Sequence, residues 1–164
     1  MEQMEHRIAE VLKDRRDGER TNILVVDDDE TTRTAVRSLL EQEGSYEVAE
    51  VSDAKSAYAL LRVQHEPSVV LNYLRDTSPG QSLLRRVHAD EGLATRHVYL
   101  CLTSSESALP PEVAQRLDDL NAPVLHYPCD HDTLGVIMAA AARRAAALAR
   151  QANSAADGTA AMEV

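Results

Sequence analysis

The feature that most constrains the fold is an alternation. Short apolar runs of strand length take turns with segments whose apolar residues recur every three or four positions. The runs are Ile23 to Val26, Tyr46 to Val51, Val69 to Leu71, Val98 to Leu102, and Val124 with Leu125. Between them lie the stripes Val36, Leu39, Leu40, then Ala54, Ala57, Tyr58, Leu61, then Leu83, Leu84, Val87, then Val113, Leu117, Leu120. Each stripe gives a helix one apolar face, and a strand that must pair with the next across a helix pairs in parallel. The pattern predicts a doubly wound α/β domain, (βα)5, with a five-stranded parallel sheet covered on both faces. Start signals agree: Ser52 with Asp53, Ser78 before Pro79, and Asp130 stand where a helix cap or first-turn residue is wanted.

The 164 residues suffice for one such domain with appendages. Residues 1–20 place Met1, Met4, Ile8 and Val11 at helical spacing, a short amphipathic leader suited to pairing with a partner or a second copy. The domain is expected over residues 21–152. Its last helix would carry Leu134, Ile137, Met138, Ala141, Ala145 and Leu148 through an Ala-rich stretch. Residues 153–164 read by composition as a disordered tail. Phe and Trp are absent, so the core has to be built from aliphatic side chains and a few Tyr.

A net charge of −10 disfavours nucleic acid and anionic membrane surfaces as partners, since both are held by clustered cations. No apolar run approaches the length needed to span a bilayer, and the charged first twenty residues do not read as a signal peptide. The expectation is a cytoplasmic protein whose two cysteines, Cys101 and Cys129, stay reduced.

The chemistry gathers after the first run, where ILVV leads into Asp27, Asp28 and Asp29. Carboxylates at the carboxyl edge of a parallel sheet lie where α/β folds bind ligands, and adjacent acids there suit Mg²⁺. Asp29 and Glu30 fit a simpler role as first-turn caps of the next helix.

With these residues in view, the sequence resembles the receiver domains of bacterial two-component systems. ILVVDDDETTRTAVRSLLEQEG is similar to their first strand, acidic pair and first helix. HVYLCLTSS is similar to their fourth strand, ending in a Thr, here Thr103, and a small residue, here Ser104. VLHYPCDHDTL is similar to their fifth strand, its Lys-Pro pair and the start of the last helix. The resemblance covers residues 21 to about 150 and implies the flavodoxin-like receiver fold, a regulatory rather than enzymatic role, and histidine kinases or output proteins as partners.

Against that resemblance the functional positions depart together. The Lys that precedes Pro in the family is here Tyr127, before Pro128. The aromatic residue three positions earlier, part of the family's switch, is Val124. The family sets its phosphoacceptor Asp at the end of the third strand, eight residues before a Gly; counting back from Gly80 gives Asn72, whereas counting forward from Pro67 gives Tyr73 and needs one deletion. The ungapped match to Asn72 is preferred, and neither residue offers the carboxylate that covalent transfer requires. Thr103 is retained. The expectation is a pseudo-receiver that lacks both acceptor Asp and Lys, works without its own phosphorylation, binds Mg²⁺ weakly through Asp27 and Asp28, and forms a homodimer.

Two alternatives remain at this point. Asp27 and Asp29 also match the Asp-x-Asp-x-Thr opening of haloacid-dehalogenase-like phosphatases, with Asp118 or Asp119 as the later acid, but no Lys follows Lys55 to complete such a site. A phosphorylatable single-domain regulator would need a displaced acceptor, for which Asp76 is the nearest acid.

Overall fold

The computed structural model describes residues 21–42, 45–74, 79–104 and 109–163, with side chains as far as residue 152. The leader 1–20, Asp76 and Ser78 lie outside the described residues. Among the described residues five strands and six helices follow in order: β1 (Thr21–Val26), α1 (Glu30–Glu41), β2 (Tyr46–Val51), α2 (Ala54–Val63), β3 (Ser68–Leu74), α3 (Pro79–Ala89), α4 (Glu91–Arg96), β4 (Val98–Thr103), α5 (Pro111–Asp119), β5 (Val124–His126) and α6 (His131–Glu163).

All strand pairs are parallel, in the order β2-β1-β3-β4-β5. The chain therefore steps outward from β1 to β2 and then crosses back to β3. That reversal makes the crevice between the carboxyl ends of β1 and β3 the switch point at which such sheets place their ligands.

Side chains alternate across each strand. Ile23, Val25, Leu71, Tyr73, Leu100 and Leu102 pack on one face with Val36 and Leu40 of α1 and Leu134, Met138, Ala141 and Ala145 of α6. Leu24, Val26, Val70, Leu74, Tyr99 and Cys101 pack on the other with Ala57, Leu61, Leu83, Leu84, Val87, Leu93, Val113 and Leu117 of α2 to α5. β3 and β4 are buried along their whole length, so their apolar runs Val69–Leu71 and Val98–Leu102 carry none of the alternation of a half-exposed strand.

Asp29 caps α1 through Thr31 N, Asp53 caps α2 through Ser56 N, and Asp130 accepts from Thr133 N in the first turn of α6. Two expectations are corrected. The chain adds the short helix α4, started by Asp90, whose carboxylate accepts from Leu93 N at 3.2 Å. And α6 continues to Glu163 where composition predicts a disordered tail, because Ala, the strongest helix former, outweighs the scattered Ser, Asp and Gly of that segment.

Candidate functional site

β1 ends at Val26, whose Cα partner on β3 is Asn72, and the next residue, Asp27, holds its place through a bond from its N–H to Val51 O of 3.3 Å. Asp27 and Asn72 are thus neighbours at the switch point, and both are buried, 1% and 2% exposed. Asp27 Oδ1 accepts from Asp29 N at 3.3 Å, and Arg33 of α1 donates from Nη1 to Asp27 O at 2.7 Å. Arg33 is held in turn by Glu50, with Nε at 3.4 Å from its carboxylate, and Glu50 also receives Arg37 Nη1 at 2.7 Å. This arginine pair could not be singled out by motif; the signal was their i, i+4 spacing on α1 facing the acid on β2. Asp28, by contrast, is exposed, so the two acids do not share one buried environment. Asp29 accepts from Thr31 N at 3.1 Å and Thr32 Oγ1 at 2.8 Å, the capping role expected of it.

The two third-strand candidates point to opposite faces of the sheet. Asn72 shares the face of Val70 and Leu74, and its Nδ2 donates to Gly80 O at 2.8 Å. Its Oδ1 is the one buried side-chain nitrogen or oxygen among the described residues without a hydrogen-bond partner. Tyr73 lies in the other core layer, edge-on to Tyr127 with ring centroids 6.1 Å apart, and its hydroxyl donates to Tyr127 O at 3.4 Å.

Thr103 closes β4, buried and beside His126 in the ladder, and its carbonyl accepts from Tyr127 N at 2.8 Å. Tyr127 and Cys129 pack against the apolar cluster under the sheet. Burial pushes the Tyr127 hydroxyl up from its ordinary pKa, so this side chain is neutral at physiological pH and offers no cation. The Tyr127–Pro128 peptide is cis. Val124 stands at the edge of the sheet, 38% exposed.

The oxygens of Asp27, Asp28 and Asn72 are of the hard type that Mg²⁺ takes, yet Asn72 contributes no charge. Among the described residues no group of three or more His, Cys, Asp or Glu side chains could hold a metal ion. Beside the acids, Glu30, Arg33, Thr34, Glu50, Ser52, Asp53 and Ser56 line an open polar cleft of about 440 Å³. The phosphatase arrangement is not assembled. Asp118 and Asp119 lie in the last turn of α5, which runs back from the carboxyl edge and ends at the opposite side of the sheet from Asp27, and Asp119 is engaged by His88 Nε2 at 2.8 Å. Among the described residues no helix is long and apolar enough to cross a membrane.

Comparisons with solved structures agree with this geometry. A receiver domain of an HD domain-containing protein from Pseudomonas fluorescens superposes with a TM-score of 0.63 at 21% identity, over 78% of this chain and 90% of that one. A response regulator receiver domain protein of Methanospirillum hungatei gives 0.62 at 18% identity, over 79% and 97%. A chemotaxis response regulator of Vibrio cholerae gives 0.59 at 24% identity, over 74% and 98%. At these identities the likeness shows a shared fold. No curated protein sequence matches. The sequence model of the response regulator receiver domain matches residues 23–116, and the chain belongs to that family, the receiver domains of two-component signalling.

Proposed function

We propose that this chain is a receiver-like regulator of a two-component phosphorelay that acts through protein contacts and is not itself phosphorylated. The observation that carries this reading is Asn72. At the switch point beside Asp27 it presents a neutral amide whose nitrogen is committed to Gly80 O. An amide oxygen is not the charged nucleophile that forms an acyl phosphate. Two further positions support the same reading. Tyr127 lies where the family's Lys would balance a phosphoryl group, and its phenol is neutral. Val124, in the place of the aromatic rotor, has no second ring orientation to offer, and a switch needs an element with two arrangements.

With two carboxylates where the family has three, Mg²⁺ loses a charge interaction on the order of a few kcal/mol at a partly buried site, and binding is expected to be millimolar or weaker. The partners are a histidine kinase or an output protein in the cytoplasm, and a second copy of the chain, for which the long α6 offers a surface beyond the sheet. Nucleic acid and membranes are not among them, given the charge of −10.

Incubation of the full chain with acetyl phosphate and Mg²⁺, followed by intact mass, tests the reading. The mass should not change. An adduct on Asp76 would assign a displaced acceptor instead, and one on Asp27 would revive the phosphatase chemistry. Light scattering tests the homodimer, which a monomer at high micromolar concentration would contradict.

A further inference from the structure

Among the described residues, the sheet face covered by α2 to α5 is not covered to its edge. β2 is the outermost strand on that side. Its Tyr46 and Val48 pack on the α1 face and Val51 on the α2 face, so Glu47 and Ala49 share the α2 face with Val51. Both are exposed, although Ala49 sits in mid-strand. The wall beside this strip is α2. Ala57 and Leu61 turn to the sheet and Tyr58 turns to α3, where Arg86 lies over its ring at 4.4 Å. Helical period then puts Leu60 and Val63 on the opposite flank, toward β2. They are 44% and 69% exposed, two of the four large apolar side chains so exposed among the described residues. Arg62 lies over the Tyr58 ring at 5.7 Å and so belongs to the α3 flank, and exposed Glu47 borders the strip on the strand side.

The leader carries the complementary pattern. At 100° per residue Met1, Met4, Ile8, Val11 and Leu12 fall on one stripe, with Glu2 and Glu5 along one flank and Arg7 along the other. Its connection is in the right place: Thr21, to which residue 20 is joined, pairs with Tyr46, the first residue of β2. Twelve residues of helix rise roughly 18 Å, close to the roughly 20 Å of a six-residue strand. The eight residues between, 13–20, reach up to about 26 Å when extended, enough to fold back.

We infer that residues 1–12 dock on their own chain as an amphipathic helix in the strip between β2 and α2. Met4 and Ile8 meet Ala49, Leu60 and Val63, and Arg7 faces Glu47. The leader then covers the open sheet edge that a strand of another molecule could otherwise extend.

Two measurements on the full chain test this. In Ile8→Asp, amide exchange at residues 59–64 should speed up about tenfold while α5 keeps its protection, because a local opening is read separately from the global one. Unchanged exchange at 59–64 overturns the inference. In a Cys129→Ser background, with Cys101 wholly buried, Ile8→Cys with Val63→Cys should oxidise to a disulfide within one chain at dilute concentration. A disulfide between two chains, which would give the strip to a second copy, overturns it, and so does the absence of any bond.

Discussion

Asn72 donates its amide hydrogen to the carbonyl of Gly80, 2.8 Å away, and so ties the end of β3 to the first turn of α3. A carboxylate in the same place has no hydrogen to give. In Asn72→Asp the bond is lost and a charge is set against a carbonyl, which should destabilise the fold by about 1–3 kcal/mol without divalent metal. Mg²⁺ should recover part of the loss in the variant and leave the parent nearly unmoved, since ligand binding stabilises by mass action. Thermal unfolding with and without Mg²⁺ reads both effects, and calorimetric titration should show tighter Mg²⁺ binding in Asn72→Asp alone. Tyr73→Asp should gain no metal affinity, because its side chain would enter the apolar layer among Leu71, Leu102 and Tyr127.

Gly80 is pinned by the same contact. A Cβ built there would run into the carbonyl oxygen of Tyr73 and lie 2.7 Å from Asn72 Oδ1. The obstruction is strand backbone, which cannot rotate aside. Gly80→Ala should therefore cost about 1–3 kcal/mol as an overpacking substitution. A denaturant midpoint equal to that of the parent would show that α3 can shift to make room.

His97 sets the acid side of the stability profile. It is 3% exposed, its Nδ1 accepts from Ser68 N at 3.0 Å, and its Nε2 lies 3.2 Å from Leu61 O, so the neutral ring with hydrogen on Nε2 satisfies both. Burial lowers its pKa to about 4, from an ordinary 6.5. Between those values the unfolded chain binds a proton that the folded chain refuses, so stability is full above pH 6.5 and falls as pH drops toward 4, by on the order of 3 kcal/mol. The capping carboxylates Asp53, Asp90 and Asp130 are held below their ordinary 3.8 by hydrogen bonds, and their contribution is lost only under more acid conditions. Urea titrations at pH 7, 5.5 and 4.5 should show the loss in the parent and a flatter profile in His97→Gln.

The fold was legible because its two periods are unmixed. Each predicted strand is present, with β3 extended to Leu74 and β4 to Thr103, where polar Asn72 and Thr103 interrupt or end the apolar run without breaking the ladder. Helix α4 escaped because six residues carry one buried side chain, Leu93, and so no stripe; its trace in the sequence was the cap Asp90 followed by Glu91. The acidic turn and Tyr127 were legible as motif positions. The bond from Asn72 to Gly80, the grip of Arg33 on the Asp27 carbonyl and the exposure of Asp28 were not, because they depend on how loops fold back over the sheet edge and not on any local pattern.

If the departures at Asn72 and Tyr127 together disable the site, restoring both should do more than restoring either. Asn72→Asp returns the nucleophilic carboxylate beside Asp27, but no cation comes with it, since the family's Lys position holds a neutral phenol packed on Tyr73. Tyr127→Lys returns the cation and has no carboxylate to serve. It also removes an aromatic ring that packs against Tyr73 at 6.1 Å, a contact worth about 0.5–1.5 kcal/mol beyond burial. The double variant supplies nucleophile and cation at once, on a backbone that already holds Tyr127 N on Thr103 O at 2.8 Å. Treated with acetyl phosphate and Mg²⁺, it should carry a phosphoryl group on the new Asp, more than the Asn72→Asp single variant, with the Tyr127→Lys variant and the parent unlabelled. Equal labelling of the double and the Asn72→Asp variant would show that the missing Lys is of no consequence here. Labelling of the parent at any residue would remove the basis for calling the site disabled.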